Sequence, residues 1–342
     1  MKRFKRHITL LLALGMLTSL VFAGCSSGGT TKTDDKTAPV ATAKAEKVNY
    51  PKKPITLIVP FAAGGGTDIG ARLMAAEVEK ILKQPVTVVN KAGASGWIGW
   101  ADLLAANKDG YTIAHFNDID VISGYLDKQQ NRKNTINDFA PIYCYVSDPQ
   151  VIAINKDDKR FTNIQELIVY AKTKEVTVAI PGNPSLIAMT KINDQLGTKF
   201  LAVRNKGAAE SLPSVMGGHV DVMLNTIGET RVPAKSNQIK PIAVLANEKN
   251  SYLPDVPTFK EAMKVDIISS SVRGFAAPAG VPQEVIDILV KAFEEGAKTE
   301  NFKTKMAEQG LPTVSISGAE YGKLWKEEEE SVKKVVNLLG WN

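Results

Sequence analysis

The sequence predicts an α/β protein of two lobes that are joined at a hinge and enclose a ligand cleft. Short aliphatic runs alternate with amphipathic helical patterns after the first fifty or so residues, which favours mainly parallel sheets covered by helices. The same rhythm restarts near residue 150, which indicates a second α/β unit. Two crossings of the chain between such units allow them to close on a ligand.

The first lobe is predicted from strands that end in turns before amphipathic helices. Ile55 to Pro60 is the first predicted strand, and a helix over about Thr67 to Leu82 follows it. Further along the chain we expect a strand at Val86 to Asn90, a helix at Trp97 to about Ala106 and a strand at Tyr111 to His115.

The second lobe is predicted from four more aliphatic runs. These strands are expected at Val176 to Ile180, Lys199 to Val203, Val220 to Asn225 and Ile242 to Ala246. From Pro278 onward the pattern is nearly all helical, as in Tyr321 to Leu339, and such helices need the first sheet to pack on. We therefore expect a discontinuous first lobe, residues 47–148 plus 265–342, and a second lobe over residues 149–264.

The first 25 residues have the order of a secretory signal. Four basic residues precede an apolar stretch from Ile8 to Val21 that is too short to span a bilayer. The segment from Val21 to Cys25 resembles a bacterial lipobox, which predicts a signal peptide over residues 1–24 and lipidation of Cys25. Plain secretion with an incidental cysteine is the alternative. Residues 25–46 are polar and small, so we expect a flexible tether.

The charge balance gives no support for a nucleic-acid partner. The formal net charge of +6 includes the four basic residues of the signal, so the exported chain carries +2. Once Cys25 is lipidated, Cys144 is left alone in an apolar run and is predicted to be a buried, inert thiol.

The strongest candidate for a binding loop follows the first predicted strand. A triple glycine at a helix start leaves backbone N–H groups uncovered and adds a partial positive charge, which suits a carboxylate or phosphate. We expect Gly65 to need a positive φ there. Thr67 or Asp68 could cap the helix, and Asp68 could instead face a ligand amine or a water. The loop comprises Phe61, Ala62, Ala63, Gly64, Gly65, Gly66, Thr67 and Asp68.

A second candidate loop has the same order of strand end, turn and helix start. Gly182, Asn183 and Ser185 could present backbone N–H groups and a hydroxyl to the first loop across the cleft. An ordinary loop with a serine cap is the alternative. Polar residues after other strands of this lobe could line the same cleft, namely Asn205, Lys206 and Asn225.

The sequence contains no complete motif for nucleotide binding, metal binding or hydrolase catalysis. Ile69 stands where a dinucleotide fingerprint needs its third glycine, and no Gly-Lys-Ser/Thr follows the triple glycine. Trp97 stands where a nucleophile elbow at Ser95 needs a glycine. No cluster of residues has metal-ligand spacing. We therefore expect neither a cofactor nor an enzyme, and a secreted α/β enzyme is the weaker alternative.

Short motifs in a fixed order resemble the substrate-binding proteins of tripartite tricarboxylate transporters, the TctC or Bug family. Together they cover nearly all of the chain after Tyr50. They are Tyr50-Pro51 with Pro54 to Phe61, Gly64 to Asp68, Ala71-Arg72, Val89-Asn90 with Gly93 and Gly96, Asp109 to Thr112, Met216 to Val222, Leu253 to Phe259, and Ala277 to Pro282.

The resemblance implies a periplasmic-binding-protein fold of the second type. It also implies a small organic carboxylate, such as a di- or tricarboxylate, held by backbone groups and waters between Phe61 to Asp68 and Gly182 to Ser185. The implied partners are one large and one small membrane subunit, with the chain attached to the membrane only through its lipid. A sensor that presents its ligand to a membrane receptor would have the same fold and is the alternative role.

Overall fold

The computed structural model describes residues 48–205 and 208–341. Within these ranges, ten strands form one mixed sheet with helices on both faces. The strands are β1 (Ile55–Val59), β2 (Val86–Asn90), β3 (Thr112–Phe116), β4 (Phe139–Asn155), β5 (Val176–Ile180), β6 (Phe200–Arg204), β7 (Val222–Thr226), β8 (Ile239–Val244), β9 (Ser270–Pro278) and β10 (Thr313–Ser317). The predicted signal peptide, Cys25, the tether and Lys206 lie outside the described residues.

Helices connect most of these strands. They are α1 (Gly66–Leu82), α2 (Trp97–Ala105), α3 (Asp118–Leu126), α4 (Ile164–Thr173), α5 (Asn183–Leu196), α6 (Ala208–Met216), α7 (Ile227–Lys235), α8 (Phe259–Met263), α9 (Gln283–Lys298), α10 (Glu300–Glu308) and α11 (Gly318–Lys333). None of the helices in the described part of the chain is long and apolar enough to cross a membrane.

Strand β4 is shared by two groups of strands. The sheet runs in the order β2-β1-β3-β9-β4-β7-β5-β6, and β8 and β10 also pair with β4. The part of β4 from Phe139 to Pro149 pairs with β9, and the part from Gln150 to Asn155 pairs with β7 and β8. We call β1, β2, β3, β9, β10 and the first part of β4 the first sheet half, and the remaining strands the second sheet half.

Both halves combine parallel strands with an antiparallel border. Strands β1, β2 and β3 run parallel, as do β5, β6 and β7. The strands that meet at β4 and β9 are antiparallel. The prediction of parallel βα units is therefore confirmed at the two ends of the sheet, whereas its antiparallel centre was not expected.

Alternation along β1 explains why helices cover both faces of the first sheet half. Leu57 and its neighbours on one face pack against α1 and α9, and Ile58 faces the opposite side, where α2, α3 and α11 pack. Each fully buried aliphatic side chain of this kind stabilises the fold by about 1.5–3 kcal/mol. The second sheet half has cores of its own, the largest built around Phe161, Ile180 and Phe259.

Most predicted elements lie within three residues of their observed bounds. The strand expected at Ile242 to Ala246 is β8, which runs from Ile239 to Val244. The expectation that nearly everything after Pro278 is helical is confirmed by α9, α10 and α11, and the exception is β10, which pairs with β4. Its side chains are only partly buried, so it lacks the apolar pattern of an interior strand.

Candidate functional site

The starts of α5 and α7 lie beside the region where β4 and β9 run side by side between the two sheet halves. Ser269, just before β9, donates from Oγ to the carbonyl oxygen of Pro184 in the first turn of α5 (3.3 Å). The backbone N–H of Gly228 in α7 donates to Asp148 Oδ1 of β4 (3.2 Å). Ends of parallel strands followed by helix N-termini are where open α/β sheets bind ligands.

The loop before α1 exposes a helix N-terminus without a side-chain cap. Gly64 has a φ of 82°, which only glycine adopts readily, whereas Gly65 has an ordinary extended conformation with a φ of −76°. The expected positive φ at Gly65 was therefore wrong by one residue. Gly65 is the N-cap residue and no side chain accepts from the first turn, so the first N–H groups of α1 are left for other acceptors. The residues from Ala62 to Gly66 are exposed.

Asp68 holds this loop in shape. Its buried carboxylate accepts hydrogen bonds from the backbone N–H of Gly64 (2.9 Å) and from Asn90 Nδ2 (2.8 Å), and it pairs with Arg72 Nε (3.0 Å). Burial pushes the pKa of Asp68 upward, but the donors from Arg72, Gly64 and Asn90 outweigh burial and lower the pKa below its usual value. Asp68 thus stabilises the loop from within. It neither caps the helix nor offers a free carboxylate to a ligand amine or a water, the two roles that the sequence had left open.

Phe61 and Thr67 flank the exposed part of this loop and are both partly buried. The Phe61 ring lies edge-on to Trp100, with ring centroids 6.1 Å apart. Phe61 therefore anchors the start of the loop to the core under α2.

The loop before α5 also begins a helix without a side-chain cap. Gly182 is the N-cap residue, and Pro184 lies in the first turn. The Ser185 hydroxyl is buried and lies 2.7 Å from the carbonyl oxygen of Leu224 and 3.1 Å from Gln150 Oε1. The hydroxyl is therefore engaged inside the second sheet half, and the loop presents the backbone of Gly182 and Asn183, which are partly exposed.

The remaining described candidates of the second lobe are Asn205 and Asn225. Asn205 braces its own turn, because its side-chain amide donates to the Val203 carbonyl (2.9 Å) and accepts from the Ser211 N–H (3.2 Å). Asn225 is 1% exposed and lies within β7, opposite Val151 of β4.

Arg273 in β9 was missed by the sequence reasoning. Its side chain is only 9% exposed, and Nη1 lies 3.3 Å from the position that a Cβ atom on Gly66 would occupy. The register pairs Gly274 with Phe116 at the end of β3, so Arg273 lies just beyond that end. The signal was present: Arg273 is the one charged residue in a strand of small and apolar side chains.

Three carboxyl groups interact electrostatically with this guanidinium. Burial raises the pKa of Asp120, in the first turn of α3, to about 7, and Arg273 partly offsets the effect. Burial raises the pKa of Asp148 to about 6, again against the influence of Arg273. Glu229, near the start of α7, also has its pKa raised by burial. The candidate site thus combines the Arg273 guanidinium, acids with raised pKa values and helix N-termini.

Two groups that acid–base or nucleophilic catalysis could use, His115 and Cys144, lie in the core. His115 is fully buried with Nε2 3.0 Å from the Tyr145 hydroxyl, and burial lowers the pKa of His115 to about 3. Cys144 is fully buried, as predicted, and burial raises the pKa of its thiol. Among the described residues, no group of three His, Cys, Asp or Glu side chains could hold a metal ion.

Comparisons with known proteins agree on one family. The model of the tripartite tricarboxylate transporter family receptor, TctC, matches residues 70–341. A UPF0065 protein of Bordetella bronchiseptica is 28% identical over 85% of this chain and 87% of its own. A TctC solute-binding protein from Polaromonas is 31% identical, with a TM-score of 0.75 over 84% of this chain and 99% of its own. MatC of Rhodopseudomonas palustris, a structure with bound malate, is 24% identical, with a TM-score of 0.71 over 84% of this chain and 100% of its own.

Proposed function

Because the chain belongs to the TctC family of tripartite tricarboxylate transporter receptors, we propose that it is a solute-binding lipoprotein outside the cytoplasmic membrane. It captures a small organic di- or tricarboxylate and delivers it to the large and small membrane subunits of such a transporter. The observation that carries this proposal is the uncapped start of α1, where exposed glycines leave backbone N–H groups uncovered.

Helix N-termini supply the chemistry that a carboxylate needs. Backbone N–H groups and the helix dipole bind an anion without a cationic side chain. The only acid in the first turn of α1 is Asp68, and its donors already neutralise it, while α5 has no acid in its first turn. The starts of α1 and α5 are therefore both suited to a negatively charged ligand.

Closure of two lobes on the ligand is part of the proposal. The first lobe would comprise residues 47–148 plus 265–342 and the second residues 149–264. The hydrophobic cluster around Leu57 lies wholly in the proposed first lobe, and the cluster around Phe161 lies in the second apart from Ile267. Both clusters support this division, and so do the continuous strands β4 and β9 that border it. Hinge closure is a common response of two-lobed binding proteins to a ligand.

A dicarboxylate is the favoured class of ligand. Malate, which is bound in the MatC structure, is a small dicarboxylate, and MatC shares this fold. A second acidic group would be held at a distance from the first, and helix N-termini on both sides of the proposed cleft provide for two anionic ends. Pocket shape, rather than the backbone donors, would select among such acids.

A thermal-shift screen tests the binding function. The purified chain is heated with acetate, succinate, malate, adipate or citrate, since a ligand that binds the folded state raises its stability by mass action. A ligand at about 100 times its Kd adds about 2.7 kcal/mol, which is readily measured. We expect at least one di- or tricarboxylate to raise Tm while acetate does not. The absence of any shift across the panel would reject the carboxylate function.

Delivery to a transporter requires a cellular test. Deletion of the gene should abolish uptake of the radiolabelled carboxylate that gave the largest thermal shift. Uptake that survives the deletion, together with a lost transcriptional response to the same acid, would instead identify the sensor role.

A further inference from the structure

We propose that Arg273 binds a carboxylate of the ligand at the floor of the cleft, opposite the N–H groups that begin α1. This inference rests on the proposed carboxylate function and names a side-chain anchor for it. The guanidinium is a planar fork that can donate two parallel hydrogen bonds to one carboxylate. The structure brings this fork and the uncapped helix start to the same point.

The position of Arg273 is the first argument. Its Nη1 atom lies so close to Gly66 that an added Cβ would be 3.3 Å away. Both groups are donors with positive character, so neither can satisfy the other. A carboxylate between them would accept from both, whereas without an anion the two positive groups repel each other.

The lack of an internal partner is the second argument. The Nε and Nη1 atoms of Arg273 are buried and make no hydrogen bond to any residue between 48 and 341 that the structure describes. The ion pairs of those residues do not include Arg273 either. Buried charges are normally paired, because their desolvation is otherwise strongly unfavourable.

An internal counter-ion role is the competing explanation. Three acids, Asp120, Asp148 and Glu229, interact with Arg273 through space. Two of them already accept backbone N–H groups of the α7 start, Asp148 from Gly228 and Glu229 from Thr226. Backbone N–H groups at the start of α7, and not contacts with Arg273, therefore hold these two carboxyl groups in place.

The test compares four purified proteins: wild type, Arg273→Gln, Arg273→Lys and Arg204→Gln. Each is titrated calorimetrically at pH 7 with the acid of the panel that gave the largest thermal shift. The Tm of each is also measured without any added acid. Arg204 is the matched control, because it is an exposed arginine at the end of β6. Circular dichroism establishes that each variant is folded.

We expect Arg273→Gln to weaken binding at least about 30-fold, because truncating one partner of a buried charge pair removes that much affinity. Arg273→Lys keeps the charge but loses the fork and should fall between Gln and wild type. Arg204→Gln should change affinity by less than about threefold, through the long-range field alone. The Tm of Arg273→Gln without acid should equal or exceed that of wild type, since the variant removes a buried, unpaired charge.

Two results would overturn the assignment. Wild-type affinity in Arg273→Gln would remove Arg273 from the site, and a clearly lower Tm without acid would make it an internal counter-ion. Failure of the proposed function is a separate outcome, in which wild type binds none of the five acids. In that case the Tm values without acid still give a result. A lower Tm for Arg273→Gln than for wild type would show that Arg273 is an internal counter-ion and not an anion site.

Discussion

The carboxylate of Asp68 accepts a hydrogen bond of 2.9 Å from the backbone N–H of Gly64, four residues earlier in the chain. This bond folds the loop back onto the first turn of α1 and fixes Gly64 in its left-handed conformation. The shape of this loop therefore depends on Asp68, whose carboxylate already accepts internal donors.

Asp68→Asn should lower both stability and carboxylate affinity. Gly64, Arg72 and Asn90 all direct N–H donors at this carboxylate, so an amide would set its own N–H groups against them. We expect a loss of about 1–3 kcal/mol in the free energy of unfolding, measured by urea titration. Asp102→Asn is the control, because Asp102 pairs with Lys91 at the surface and should change stability by less than about 0.5 kcal/mol. Equal losses in the two variants would contradict this role of Asp68.

Gly65→Val should impair binding and leave the fold intact. The nearest atom to a Cβ on Gly65 is the Ala62 carbonyl oxygen at 3.7 Å, an ordinary contact, and the φ of −76° suits any residue. The isopropyl group would nevertheless cover the N–H groups at the start of α1. We expect at least about a tenfold loss of affinity by calorimetry. Wild-type affinity in a variant with unchanged Tm would show that the ligand does not reach this helix start.

Asp118→Asn should stabilise the protein at alkaline pH. Burial first and the neighbouring Glu328 second raise the pKa of Asp118 to about 8, from an ordinary value of 3.8. The native state therefore holds a proton that the unfolded chain has lost, so wild-type stability falls as pH rises from about 4 to about 8. Asparagine has no proton to lose, and each unit of pKa shift corresponds to about 1.4 kcal/mol.

The measurement is Tm against pH for wild type and Asp118→Asn. The two should be closest in stability near pH 4, and the advantage of the variant should grow by at least about 1 kcal/mol between pH 5 and pH 8. Asp266→Asn is the control, since that carboxylate is exposed and pairs with Lys260. An advantage of Asp118→Asn that does not change with pH would reject ionisation as its cause.

Cys25→Ala should release the protein from the membrane fraction. Cys25 lies at the end of the lipobox-like segment and is one of two cysteines in the sequence. Cys144→Ala is the matched control, because Cys144 is fully buried in β4 and cannot carry an accessible lipid. Fractionation of cells that express each variant decides the matter. Retention of Cys25→Ala on the membrane would contradict the lipid anchor.

The sequence predicted those helices and strands whose signals lie in neighbouring residues. Ile55 to Val59 is a nearly continuous aliphatic run, and glycines follow at positions 64 to 66, so both features lie within a dozen residues. Strand β4 lacks such a signal, because 17 residues with prolines at positions 141 and 149 do not look like one strand. Its partners β7, β8, β9 and β10, all later in the chain, keep it extended.

The same reasoning separates the site residues that were found from those that were not. The glycines before α1 could be identified as a candidate loop because the signal lies in the neighbouring residues themselves. The direction of the Ser185 hydroxyl depends on Leu224, which lies 39 residues away. The position of Arg273 depends on the pairing of β9 with β3, which sets Gly274 opposite Phe116. Such relationships exist only once the chain is folded.

The order of strands in the first sheet half also determines when this protein can fold. Strand β9 lies between β3 and β4, yet the ribosome makes it long after both. The nascent chain therefore carries β1 to β4 without the central strand that joins them. Structures that depend on such distant pairings form slowly. The first sheet half can therefore be completed only late in synthesis, after β9 has left the ribosome, whereas β5 to β8 of the second sheet half are made earlier.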